Sequence, residues 1–219
     1  LSGLLTGFLF PPVQSTYTVI LLMIPLIHAV YIDPERSVRY SFLFGLSLTV
    51  ASCWWIFANS GADAAWIKIV SGFGLFLVSA SYYALFGLIY KYSRRLFGIR
   101  AIWTLALIWG GMETAMLFEE LAFPWTYLAY TLTGKTEFIQ IAEYFGVTSV
   151  SMAVLYISIL LYSSIKYLLI KDYFRTYTRL QAALLLFFGL IIFGWLRMGY
   201  ISRQLEDSNM IKASLIHPG

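Results

Sequence analysis

ETAMLFEELAFPWTYLAY, residues 113–130, is where a strongly apolar chain interrupts itself. The stretch sets Glu113 inside an apolar helical pattern, follows with the pair Glu119-Glu120, and breaks at Phe123-Pro124-Trp125. A residue that precedes proline is pushed out of the α region, so a helix is expected to end here. Apolar runs lie on both sides, separated by short basic clusters, and that contrast decides the fold.

The chain has 219 residues, 60% of them hydrophobic and 12% charged, with a mean hydropathy of +0.76. An ordinary globular domain carries about 25% charged residues. The composition therefore predicts an all-α integral membrane fold, a bundle of about seven transmembrane helices. The apolar runs are residues 1–10, 17–31, 40–57, 66–90, 99–118, 146–170 and 180–200, all within one membrane domain, 1–205. The first covers only half of the ~20 residues that a spanning helix needs, and Leu1 is not a methionine, so the chain is expected to continue N-terminally. No basic region precedes that run and no small-residue cleavage pattern follows, which is not the pattern of a signal peptide.

A net charge of +4 does not point to nucleic acid, because the cations sit between apolar runs. Arg36 and Arg39; Lys91, Arg94, Arg95 and Arg100; and Lys166, Lys171, Arg175 and Arg179 fall in the loops after the second, fourth and sixth runs. The alternate loops hold Lys68 and Lys135. The positive-inside rule puts the first set in the cytoplasm. The chain is then expected to start on the cytoplasmic side and to end, like the FPW segment, on the outer side of a bacterial inner membrane.

Soluble-enzyme motifs are absent: no HExxH, GxGxxG, P-loop or CxxC. Neither a metal site nor a cofactor is expected, since the two histidines and Cys53 are far apart in the chain. Cys53, in an apolar run, reads as a packed thiol, and His28, near a run's end, as interfacial or packed.

Glu113 stands mid-span, where a carboxylate costs about 2.5–3.5 kcal/mol on insertion scales. Two readings are open: a hydrogen-bonded group that fixes helix contacts, or a functional carboxylate facing a wet cavity. Glu119 and Glu120 fall nearer the interface. Trp125 is placed at the headgroups as an aromatic belt residue, and the polar stretch after it is longer than a turn requires and suits the lining of a lipid groove.

Trp109 with Glu113, then Phe123-Pro124-Trp125, Tyr130, and Gly146-Val147 with Ser149 together resemble the membrane domain of apolipoprotein N-acyltransferases. The turn at residues 7–12, the span end at 45–55 and the basic pair Arg94-Arg95 are similar too. Residues 211–216 resemble the first strand of the α/β nitrilase-like domain that follows in that family, making 206–219 a linker and the start of that domain. The family's Arg three residues after the Glu is Met116 here.

The resemblance implies transfer of an acyl chain from a phospholipid donor, through a thioester on a Glu-Lys-Cys triad, to the N-terminal diacylglyceryl-cysteine of a diacylated apolipoprotein. No residue here matches that triad, so no catalytic residue is assigned to this chain, which is expected to be inactive alone. Glu113, Phe123, Trp125, Tyr130 and Trp55 are expected to line or orient the lipid entrance. Two other classes fit the residues: a small multispan transporter, suggested by Glu113 and His28, and a membrane anchor for a polyprenol-phosphate glycosyltransferase.

Overall fold

The structure, a computed structural model, describes residues 1–11, 17–58, 65–117 and 122–206. Among them there are helices and no strand. The helices are α1 (Ser2–Gly7), α2 (Thr18–Leu22), α3 (Ile24–Ile32), α4 (Ser37–Cys53), α5 (Ala65–Phe97), α6 (Leu105–Ala115), α7 (Thr136–Ile139), α8 (Ala142–Phe145), α9 (Val147–Leu169) and α10 (Tyr173–Glu206). Residues 211–216, read as a strand from the sequence, lie outside the described residues.

Among the described residues, four stretches are long and apolar enough to cross a membrane: Pro34–Ala58, Trp66–Ala115, Val147–Leu169 and Tyr173–Glu206. The second folds back on itself. Gly98 turns it at a φ of +57°, a left-handed conformation that a side chain disfavours, and a 3-10 segment, Gly98–Thr104, leads into α6. Thr18–Ile32 is apolar but shorter. It breaks at Met23 because Pro25, near the start of α3, has no N–H to give to the preceding turn. The runs read from the sequence therefore each correspond to a helix or a broken helix, though the first two are too short to span alone.

Consecutive long helices run antiparallel. Ser37 Oγ donates to Gly87 O at 2.7 Å and the Phe44 and Tyr83 rings are in contact, pairing α4 with α5. Ser93 with Thr104, at 2.8 Å, and the Phe86–Trp109 ring contact pair α5 with α6. The Ser164 hydroxyl donates to Thr176 O at 3.0 Å across the α9–α10 turn. This alternation brings the three basic loops to one end of the bundle, where Glu35 pairs with both Lys91 and Arg95. The other end carries residues 122–146.

Lipid is as apolar as leucine, so helix association here depends on close packing more than on removal from water. Gly7 shows how close: a Cβ there would lie 2.5 Å from Leu48 O on α4. At the centre, fully buried Trp109 meets Phe44, Tyr83 and Phe86 with ring centroids 5.2–6.1 Å away, all near edge-to-face, the geometry that ring quadrupoles favour.

Candidate functional site: an apolar cavity clamped by Glu113

Helix α6 ends at Ala115, eight residues before Phe123. The break expected at Phe123-Pro124 is therefore not what stops it. The chain turns back instead, and Met116 O accepts from Phe123 N at 3.0 Å. Met116 is fully buried, and its sulfur takes the Thr126 hydroxyl at 3.9 Å. Pro124 opens a short 3-10 turn, Pro124–Thr126, and a second one, Leu128–Leu132, follows.

Thr126, Tyr127, Leu128, Ala129, Thr131 and Leu132 are all buried, although none is in an α-helix. Such backbone is tolerated at membrane depth only where protein satisfies its polar groups. Glu113 does this. Its Oε1 accepts from Leu128 N at 2.9 Å and from Trp109 Nε1 at 2.8 Å, and its carbonyl accepts the Tyr127 hydroxyl. Ser151 Oγ on α9 accepts from Ala129 N at 2.9 Å. Glu113 is completely buried, and its Oε2 has no partner among the described residues. In the reading of Glu113 as a group that fixes contacts, its partners are a backbone amide and an indole one turn away.

In front of this clamp lies an apolar cavity of about 370 Å³. Trp55, Trp125 and Tyr130 line it together with Phe10, Cys53 and Pro124. Trp55 and Trp125 are 5.3 Å apart between ring centroids, and Phe123 stacks on Trp125 at 6.1 Å with 12° between planes. Tyr130 stacks on Tyr127, 5.7 Å away and 16° from parallel. Burial, helped by the nearby Glu113 carboxyl, pushes the Tyr130 phenol above its ordinary value and that of Tyr127 up to about 12. Both are neutral hydroxyls at pH 7. Trp125 is 56% exposed and Trp55 40%, which suits a mouth that opens toward lipid.

Of the five site residues read from the sequence, Trp55, Trp125 and Tyr130 line the cavity. Phe123 supports Trp125 from the side, and Glu113 stands behind the wall. Cys53 is buried and lines the cavity, and no carboxylate or imidazole is among the lining residues to act on it as a base. Sequence reasoning missed Ser151 and placed Tyr127 only in the polar stretch suited to a lipid groove, because their roles are contacts of 22 and 14 residues' separation with no local signal. Glu119 and Glu120 lie outside the described residues.

The polar stretch after Tyr130 is tied down. Glu137 accepts the Tyr17 hydroxyl at 2.6 Å, and Glu143 pairs with both arms of Arg197 on α10, from Nε at 2.6 Å. With Ile141 and Phe145 it covers one end of a second apolar groove of about 600 Å³, whose other walls include Gly110, Thr148, Met152 and Leu190.

Residues 2–160 match the family described as "Apolipoprotein N-acyltransferase N-terminal domain". The chain is 28% identical over 172 residues to an apolipoprotein N-acyltransferase of Geobacter metallireducens, an alignment covering 76% of this chain and 32% of that protein. It is 26% identical over 216 residues to an apolipoprotein N-acyltransferase of Pasteurella multocida, covering 96% of this chain and 40% of that one. The chain thus spans between a third and two fifths of the curated relatives it matches.

Proposed function

The chain belongs to the apolipoprotein N-acyltransferase N-terminal domain family, and on that premise we propose that it forms the membrane part of an enzyme that N-acylates lipoproteins. In this reading the complete protein takes an acyl chain from a phospholipid. A cysteine thiolate outside the present chain attacks the ester carbonyl, a thioester forms and the lysophospholipid leaves with a proton. The α-amino group of a diacylglyceryl-cysteine then attacks the thioester, forming the amide and releasing the thiol. The helical segments sit in a bacterial inner membrane with the basic loops in the cytoplasm, and the end with residues 122–146 faces outward, where the soluble domain docks.

The observation that carries this reading is the cavity between Trp55, Trp125 and Tyr130. It is apolar, aromatic-rimmed and at the end of the bundle opposite the basic loops, which suits lateral entry of an acyl chain. The entrance role falls to Trp55, Trp125, Tyr130 and Phe123, with Glu113 orienting the wall they stand on.

Replacing Trp125 with Ala in the complete protein removes one aromatic wall of the cavity and leaves the Glu113 clamp. Lipoprotein N-acylation in membranes is expected to fall about ten-fold, through weaker use of the phospholipid, as the loss of ~1.4 kcal/mol of contact dictates. Unchanged acylation at normal expression would remove this entrance from the account.

A further inference from the structure

The basic end of the bundle holds a cavity of about 380 Å³, between the end of α3, the Gly98–Thr104 segment, α9 and the start of α10. Its walls include Tyr31, Arg100, Trp103, Tyr162, Lys166 and Arg179. Lys166 Nζ sits 4.0 Å above the Tyr31 ring and donates to its hydroxyl, while Arg179 stacks on Trp103 at 4.8 Å. Arg94 also lies against Tyr31, at 5.2 Å, with a buried Nη1 that has no partner.

The carboxylates of this end are committed elsewhere. Asp33 pairs with Arg36, Glu35 with Lys91 and Arg95, and Asp172 with Arg175. Arg100, Lys166 and Arg179 have no carboxylate partner among the described residues, and no acidic residue lines the cavity. Three converging cations without a counter-ion specify an anion, and the donors they present match a phosphate. Beside the hydroxyl-bearing Tyr31, Tyr162, Ser163 and Tyr167, the walls include apolar Ile99, Ile102 and Trp103, and Leu168, Leu169 and Ile170 are exposed at the end of α9. A free ion has no use for these surfaces; a glycerophospholipid does, and indole rings favour headgroup level.

We propose that this cavity binds the phosphate of an anionic phospholipid from the cytoplasmic leaflet, holding α3, the Gly98–Thr104 segment, α9 and α10 together at the end opposite the Trp125 cavity. From Ser151 to Lys166, α9 rises about 22 Å, so the two cavities serve opposite leaflets. The inference is independent of the acyl-transfer reading.

The test places the chain in phosphatidylcholine nanodiscs containing a minor fraction of phosphatidylglycerol and counts retained phosphatidylglycerol by native mass spectrometry. The wild-type chain should retain it. Lys166→Ala/Arg179→Ala should bind it roughly thirty-fold more weakly, about five-fold per cation removed. Arg36→Ala/Arg175→Ala, which removes two cations that already have carboxylates, should match wild type. Equal retention by the cavity variant, or an equal loss in the control, would overturn the proposal. Should the double variant not fold, exposed Arg100→Gln decides, with a loss of about five-fold expected. Inorganic phosphate in pure phosphatidylcholine nanodiscs should leave the melting temperature unchanged; stabilisation matching that of phosphatidylglycerol would overturn the lipid assignment.

Discussion

Glu113 costs the membrane domain a buried carboxyl and returns a fixed loop. Its Oε1 receives Leu128 N–H and the Trp109 indole, two donors that would otherwise be orphaned in a dry interior. An orphaned buried donor costs about 1–3 kcal/mol in soluble proteins, and membrane hydrogen bonds average nearer 0.6. Glu113→Leu is therefore expected to lose about 1–4 kcal/mol of unfolding free energy, read by denaturant titration in detergent. Glu113→Gln keeps an acceptor oxygen in place and should lose less than about 1 kcal/mol. Equal stability of the two variants would contradict the clamp. The sequence made Glu113 conspicuous because a mid-span carboxylate is rare and set Trp109 one turn before it, but it did not name Leu128, whose amide reaches Glu113 only when the chain turns back.

At the scale of elements, the short helices α7 and α8 are held by two carboxylates. The Tyr17 hydroxyl bonded to Glu137 holds that carboxyl below its usual range, and the Arg197 guanidinium does the same for Glu143. A lowered folded-state pKa contributes stability above the unfolded value, about 4.3 for glutamate, which is lost as pH falls through the lowered one. Protection of the amides across residues 136–145, relative to their intrinsic exchange rates, should therefore fall selectively as pH drops below about 4. Glu137→Gln/Glu143→Gln should exchange faster at neutral pH and show no such acid step; an unaltered step in that variant would assign it to other groups. Hydropathy located these segments only as a polar stretch, because it reports which residues lipid tolerates and not which pairs tie a loop. The same limit explains the helix bounds. The run read as 66–90 is a helix to Phe97, and the one read as 180–200 begins at Tyr173: backbone hydrogen bonding continues past the apolar stretch, while Lys, Arg and Tyr reach for the interface.

For the whole molecule, the alternation of basic and non-basic loops was legible, and the fold gathers the basic loops at one end as that pattern requires. The apolar runs gave the positions of helical segments but neither their number nor their lengths, since α1 has six residues and Pro25 divides α2 from α3. The family resemblance grouped Trp55 with Trp125 at an entrance, but their ring contact, seventy positions apart, was not legible from hydropathy, in which each ring alone reads as an interfacial anchor. The central claim is that their cavity admits a phospholipid acyl chain. The most direct measurement is photocrosslinking of the chain, in nanodiscs, by a phospholipid bearing a diazirine in its acyl tail, with adducts mapped by mass spectrometry. Adducts concentrated on Trp55, Trp125 and Tyr130, and reduced by excess unlabelled phospholipid, are the predicted result. Adducts spread evenly over the lipid-facing surfaces of α5 and α10, with the cavity residues unmarked, would contradict it.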